Sequence, residues 1–543
     1  MRIKAFLFFT FYLLLFPGVA HSQDILWEKS YGGKHDELLF DAVATPDFGY
    51  LLAGSSLSKK TGSKLDDNRG NLDFWLWKMD ENGDYDWQKT LGGSKQDLLK
   101  KVILTNDGGY LLAGTSHSDV GYDKKDKSFG DSDFWVIKLT ASGEEEWQKT
   151  FGGEGHEELT SLIKTKDGGY LIGGSSESDA SGTKSTKNYG NLDYWIVKID
   201  SKGEVVWQNS FGGQYSDELN SITQTTDGGY LLGGSSNSPE SGNKKHNNVN
   251  QSDFWIIRID DKGQELWQRV IGGNQDDQLT EIRLTIDGNY IIAGNSNSSA
   301  GHDKDNTNED GTDIWVLKIN IEGEVLWQKT YNIASVDAVS SIIENQDRTL
   351  LISGFAQGEL EKKKPKSTAK VNPKGKKSKK YIAGTYDYVT IKIKENGDEI
   401  WRKEVGSDGE DLLVKTIEVR DGGYLMVGTS KDGASNDRKS AIGRSDFWVV
   451  KLKDKQKPTV VKKTIEAIPN PAFDYTNIVI GYDFTKGTAS LVDISGRVLQ
   501  SFEITVRMVP INLTGLPDGI YIVNIKTDKQ NDGVKIIKGN NQK

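Results

Sequence analysis

Glu158-Leu-Thr-Ser-Leu-Ile-Lys-Thr165, Lys166-Asp-Gly-Gly169, Tyr170-Leu-Ile-Gly-Gly-Ser-Ser176, Asp193-Tyr-Trp-Ile-Val-Lys-Ile199, Asp200-Ser-Lys-Gly203 and Glu204-Val-Val-Trp-Gln-Asn-Ser-Phe211 read in order as strand, turn, strand, strand, turn and strand. The unit holds four antiparallel strands, with a long polar loop between the second and third. It recurs behind seven tryptophans, Trp27, Trp87, Trp147, Trp207, Trp267, Trp327 and Trp401, the first six spaced by 60 residues and the last following after 74. A period of this length filled with short β runs belongs to propeller blades and not to helical solenoids.

Turn chemistry supports both hairpins of each unit. Asp47, Asp107, Asp167, Asp227, Asp287, Asp347 and Asp421 open the first turn, where a carboxylate accepts backbone hydrogen bonds. Gly83, Gly143, Gly203, Gly263, Gly323 and Gly397 serve the second. Third strands such as Phe134-Trp-Val-Ile137 are apolar on both faces, as a sheet packed between two others requires. The glycine recurring in the second strand, Gly54 and Gly114 among its copies, predicts a close backbone approach near the ring interior.

The last unit supplies only three strands before a lysine-rich stretch, whereas residues 25–31 form a fourth-strand unit with no blade before it. Placing that strand on the last blade removes two open edges together. The expected fold is therefore all-β: a seven-bladed β-propeller with N-terminal strand closure, followed by a small C-terminal β-sandwich. The expected boundaries are 1–22 for a signal peptide, 23–452 for the propeller, 453–466 for a linker and 467–543 for the C-terminal domain.

Residues 1–22 carry a basic start, Arg2 and Lys4, and an apolar run over 5–16 that is too short to span a bilayer, so a secretory leader cleaved after Ser22 is expected. No transmembrane segment is expected in the mature chain. The chain has no cysteine, which excludes disulfides and thiolate metal sites. Removing Arg2 and Lys4 leaves 66 basic against 78 acidic residues, a formal charge of −12, which argues against a general nucleic-acid binder.

The segment 467–543 departs from the repeat. It carries Pro469-Asn-Pro471, Leu491-Val-Asp-Ile-Ser-Gly-Arg-Val498, Leu513-Thr-Gly-Leu-Pro-Asp-Gly-Ile-Tyr-Ile-Val523 and a closing Lys535-Ile-Ile-Lys538. These four ordered motifs resemble the type A C-terminal sorting domain of type IX secretion cargo in Bacteroidetes, with Pro469, Asn470, Pro471, Gly496, Arg497, Gly519 and Tyr521 as motif residues. The resemblance implies a small β-sandwich, Sec export, type IX secretion to the medium or the outer-membrane surface, and a translocon and a sortase as partners. The 60-residue repeats are also similar to repeats in other secreted Bacteroidetes proteins, a likeness of fold.

One acid precedes the first strand of every blade: Glu37, Asp97, Glu157, Asp217, Asp277, Asp337 and Asp411. Seven carboxylates near a channel mouth would attract a cation or a basic partner, but recurrence in every blade favours a structural role, since functional sites are normally asymmetric. Lys78, Lys138, Lys198, Arg258, Lys318, Lys392 and Lys451 recur in the third strand, where each is expected either to snorkel or to pair with a carboxylate, as part of the scaffold. The long loops differ among blades and are the expected recognition surface. The acid-rich stretch 303–311 offers oxygen ligands for calcium without the EF-hand spacing; no cofactor is expected otherwise. The sixth blade's loop holds ten lysines between Lys362 and Lys380, of which Lys374, Lys376, Lys377, Lys379 and Lys380 are candidate polyanion contacts, the alternative being a solvated insertion. Nucleophile-elbow, zincin and Walker motifs are missing, so no catalytic residue is assigned. The expected function is a monomeric, non-catalytic surface protein that recognises a glycan or protein ligand. The alternatives are a carbohydrate-active propeller enzyme and a passive surface-layer component.

Overall fold

The computed structural model describes residues 23–308, 311–357, 385–420, 422–454 and 464–539. Residues 1–22, where a leader is expected, the lysine-rich insertion with its candidate polyanion contacts, Asp421 and residues 455–463 lie outside the described residues.

The repeats form seven four-stranded antiparallel sheets, and each first strand packs against the first strands of the neighbouring sheets, the strand Glu37–Ala44 against Asp411–Glu418, so the ring closes. This is a β-propeller. The closing sheet takes its fourth strand from the N-terminus: Asp24–Tyr31 pairs with Ser445–Lys453 in the register Trp27↔Lys451, the counterpart of Trp87↔Lys78 in the first complete blade.

The side chains explain why the pattern folds this way. At five blade junctions an aromatic residue of one third strand packs on the next blade's third-strand tryptophan: Phe74 on Trp135, Phe134 on Trp195, Tyr194 on Trp255, Phe254 on Trp315 and Tyr388 on Trp448, with centroids 4.8–5.1 Å apart. Phe447 meets Trp75 in the same way at 4.7 Å across the closing junction. These third-strand tryptophans are fully buried, whereas Trp27, Trp87 and Trp147 of the fourth strands are only partly so. The tryptophans that mark the repeat are therefore not its deepest residues. The glutamine after each fourth-strand tryptophan has a matching task, because Gln88, Gln148, Gln208, Gln268 and Gln328 accept from the Nε1–H of Trp75, Trp135, Trp195, Trp255 and Trp315 at 3.0–3.2 Å. In the sixth blade Val389 replaces the tryptophan and Arg402 the glutamine, so acceptor and donor are lost together.

The second-strand glycines sit where expected. A Cβ on Gly54 would lie 2.1 Å from Leu38 O and 2.7 Å from a Phe447 ring atom, and one on Gly114 would meet Leu98 O and Phe74 at 2.1 and 2.6 Å. All seven first strands carry a bulge at one place, between Leu39 and Asp41 and at the equivalent positions, which turns consecutive residues toward the channel.

Past the ring, Ile465–Ile468, Tyr475–Ile480 and Met508–Asn512 form a three-stranded sheet, and Val498–Ile504, Gly487–Asp493, Gly519–Thr527 and Asn531–Lys538 a four-stranded one. The two share a core that includes Ile478, Leu491, Ile511, Val523 and Ile536. No helix among the described residues is long and apolar enough to cross a membrane.

Candidate functional site

The ring has two unlike faces. Each first strand ends in a short hairpin turn, 45–49 in the first blade, and the third strand ends in another, 80–84; the long loops, 57–72 in that blade, and the links between blades lie on the opposite face. The C-terminal domain meets the hairpin-turn face. Arg507 donates to Asp47 O at 3.3 Å and pairs with Glu81 at 3.4 Å, and Arg420 donates to Pro46 O at 2.6 Å and pairs with Glu466.

The recurrent acids are buried on the loop side beneath the links. Glu37 accepts from Gly33 N at 2.8 Å, Asp97 from Gly93 N at 2.7 Å, Glu157 from Gly153 N at 2.8 Å, Asp217 and Asp277 from Gly213 N and Gly273 N at 2.7 Å, Asp337 from Ile333 N at 2.6 Å and Asp411 from Ser407 N at 2.5 Å. All seven are fully buried. A second acid recurs at the start of the third strand and includes Asp73, Asp133, Asp193 and Asp253, also fully buried. Between the two sets lies a lysine that the sequence reading missed, although Lys64, Lys124, Lys184, Lys244 and Lys304 are spaced by 60 residues. It pins the long loop from within: Lys184 donates to Ser178 O and Thr186 O at 2.8 Å, and Lys244 to Ser238 O at 2.8 Å and His246 O at 2.7 Å. In the last blade Arg438 takes this place and pairs with the buried Asp446 at 2.5 Å.

The third-strand cations pair across the hairpin-turn face, Lys78 with Asp47, Lys138 with Asp107 and Lys198 with Asp167 at 2.8 Å, and Lys318 with Asp287 at 2.6 Å. In the calcium-candidate loop, Asp303 accepts from Gly272 N at 3.2 Å, the anchoring role that Asp123 and Asn243 take toward Gly92 and Gly212, so it acts there as a loop anchor. Residues 309–310 of that loop lie outside the described residues. Among the described residues no group of three or more His, Asp and Glu is placed to hold a metal ion. His156 Nδ1 lies 2.5 Å from Ser132 Oγ, but that hydroxyl is buried and also bonds Glu157 O at 3.1 Å, a link within the scaffold.

These charges set the pH response. Burial pushes Asp73, Asp193 and Asp337 up to about 7 and Asp253 up to about 6, from an ordinary value of 3.8. Burial also works to raise Asp47 and Asp107, but their lysine partners and nearby threonine hydroxyls outweigh it and hold both below the ordinary value. A carboxyl raised by folding contributes most below its unfolded value, and that contribution is lost as pH climbs through the window from 3.8 to about 7. A lowered carboxyl contributes above 3.8 and loses that contribution in stronger acid. The expected result is a melting temperature that peaks at about pH 4 and declines until about pH 7. Calorimetric scans across that range check it, and a maximum at pH 7–8 would contradict it.

The asymmetric feature is in the channel. First strands enclose a cavity of about 630 Å³. Four residues after each buried acid, the residue following the bulge is Asp41, Lys101, Ser161, Ser221, Glu281, Ser341 or Lys415, a position whose charge changes sign between blades, and all seven line the cavity. Four of these residues tie to the next blade by accepting: Asp41 from Val102 N at 3.1 Å, Ser161 from Ile222 N and Ser221 from Ile282 N at 3.0 Å, and Glu281 from Ile342 N at 2.6 Å. Lysine has no acceptor. Lys415 instead reaches Asp41 at 2.8 Å and Ala42 O at 3.2 Å. Lys101 has no hydrogen-bond or ion-pair partner among the described residues, and burial holds its ammonium below the ordinary range against the pull of Asp41 and Glu281. The signal was present in the sequence as a break in the repeat, hidden because the bulge that turns this position inward leaves no mark in composition.

In the C-terminal domain the motif residues hold the sandwich together. Asn470 donates to Lys535 O at 2.7 Å and accepts from Ile537 N at 2.9 Å, Arg497 pairs with Asp493 at 3.1 Å across the turn containing Gly496, and Tyr521 donates to Pro517 O at 2.6 Å. Pro469 O accepts from Thr476 Oγ1 at 2.7 Å, Pro471 follows Asn470, and Gly519 opens the strand that contains Tyr521.

Residues 466–539 match the family described as the secretion system C-terminal sorting domain. The C-terminal unit is thus a type IX secretion sorting domain, its partner is the secretion machinery, and the chain is exported to the cell surface or the extracellular space. A stretch of 186 residues, 32% of this chain, is 26% identical to the regulatory protein FlaEY of Caulobacter vibrioides, and the match spans 19% of that relative. Among solved structures, a protein of unknown function from Dyadobacter fermentans aligns at 10% identity and a TM-score of 0.42, over 80% of this chain and 100% of that one. BBS1N, crystallised with ARL6DN, aligns at 8% and 0.41, over 81% and 99%. An apocarotenoid oxygenase of Synechocystis aligns at 11% and 0.37, over 78% and 95%. None of these informs the choice of ligand.

Proposed function

We propose that this type IX secretion cargo is a non-catalytic binding protein whose ring recognises a glycan or protein ligand through its long-loop face. The observation that carries the reading is a sector of that face where apolar side chains stand in solvent on pinned loops. Tyr122 is 70% exposed, with Val120 beside it in the second blade, and Leu65 in the first blade and Ile442 in the last are also exposed. These blades are neighbours in the ring. Tyr122 has φ +53, a conformation that costs a bulky residue energy and is retained where the surroundings impose it. Exposed rings on a rigid frame suit stacking on a sugar or packing against a protein. The sorting domain supports the reading from the other side, since its polar contacts to the ring fall on the hairpin-turn face among the described residues.

The test is a glycan and surface-protein array probed with the leaderless chain, with a reducing-end assay alongside. Binding without turnover, weakened about tenfold or more in Tyr122→Ala, is the expected result. New reducing ends would replace this reading with the enzyme alternative, and neither binding nor turnover would leave a passive surface component.

A further inference from the structure

We infer that the channel through the ring holds a second ligand site, for a small polar molecule bearing a single carboxylate, with Lys101 as the residue that meets the charge. The inference does not depend on the loop face and goes beyond it.

The argument begins with charge. Three cations, Lys101, Arg283 and Lys415, and two carboxylates, Asp41 and Glu281, line the cavity of about 630 Å³. Both carboxylates are satisfied within the ring: Asp41 by Lys415 and the Val102 amide, and Glu281 by Arg283 Nε at 2.8 Å and the Ile342 amide at 2.6 Å. Lys101 remains, and it has no polar partner among the described residues. An ammonium withdrawn from bulk water is unfavourable until an anion meets it. The inter-blade bond does not call for a lysine in the second blade, because the serine at the same position in the third and fourth blades makes a bond that Lys101 cannot make.

The occupant follows from three features. One uncompensated positive charge accommodates a monoanion, whereas a phosphate dianion would leave an excess negative charge beside Asp41 and Glu281. The volume suits a small organic ligand and far exceeds a halide. The lining alternates hydroxyl and amide groups, Ser161 and Asn220, with the apolar Phe40 and Ile163, so it offers both hydrogen bonds and packing to a compact polar body. An acidic sugar and an amino-acid or peptide carboxylate share this chemistry.

The experiment is isothermal titration calorimetry of the leaderless full chain at low ionic strength with sodium glucuronate, sodium galacturonate and N-acetylglycine. Methyl glucoside and sodium chloride serve as controls. One carboxylate series should bind with one site per chain, and the series that does so identifies the source. Lys101→Gln should weaken it by about tenfold or more, Lys101→Arg should retain most of it, and Tyr122→Ala should leave it unchanged. Thermal scans establish that the variants fold, and Lys101→Gln should melt no lower than the parent because it removes a desolvated charge. The inference is overturned if no carboxylate binds the folded parent, if Lys101→Gln binds as tightly as the parent, or if chloride or the neutral glucoside matches the carboxylates.

Discussion

Deletion of residues 24–31 lowers the melting temperature by roughly 5 °C, equivalent to about 5 kcal/mol of unfolding free energy. The strand Asp24–Tyr31 is the fourth strand of the last blade, so its loss opens the edge of Ser445–Lys453. It also removes Glu28, whose Oε2 accepts from Trp448 Nε1 at 2.8 Å in the position that glutamine fills in the first five blades. An indole N–H left buried without an acceptor costs about 1–3 kcal/mol. Tyr31 is nearly fully buried and donates to Gly83 O at 2.5 Å in the next blade, and losing that ring costs about another 2–3 kcal/mol. Glu28→Ala isolates the first contribution and should show only part of the loss, while a synthetic peptide of residues 23–31 added to the deletion should restore the transition. Calorimetric scans of the parent, the deletion and Glu28→Ala decide the matter, and an unchanged transition in the deletion would remove the N-terminal strand from any role in closing the ring.

Much of this was legible because the fold depends on periodic signals. Turn aspartates, turn glycines and two-sided apolar runs repeat at 60 residues, and the uneven strand count at the two ends points to the closure. The charged third-strand set was read as either snorkelling or paired; in four blades the structure pairs it with the turn aspartate of the same blade. What escaped was depth. A period says that Trp87 and Trp75 each recur, but only packing shows that Trp75 is fully buried at the junction and Trp87 is not. The buried lysine under the long loops of the first five blades was read as part of a polar loop because its ammonium is held by loop carbonyls and neutral hydroxyl or amide groups, which leave no pattern of paired charge in the sequence. The channel position escaped for a different reason: the bulge breaks strand alternation, so counting by twos from Leu39 assigns Asp41 without showing that Phe40 also lines the cavity.

A chain ending at residue 454 should fold into a stable ring and fail to reach the cell surface, accumulating in the periplasm. The site of the cut matters, because the third strand of the last blade runs to Lys453 and Asp454 is buried beyond it, accepting from Tyr424 Oη at 2.8 Å and lying 3.8 Å from Lys392. Ending the chain at 452, the boundary expected from sequence, removes that carboxylate from beside a buried tyrosine and lysine and should destabilise the ring by about 1–3 kcal/mol. Ending it at 454 sacrifices only the contacts on the hairpin-turn face, where Arg420–Glu466 and Arg507–Glu81 are partly exposed pairs worth about 0–1 kcal/mol each. Thermal scans of the two truncations, with fractionation of cells expressing each, therefore separate a folding defect from an export defect. A 454-residue chain that melts like the parent yet stays inside the outer membrane assigns export to the sorting domain alone, whereas normal surface delivery of that chain would show that recognition by the secretion machinery lies in the ring.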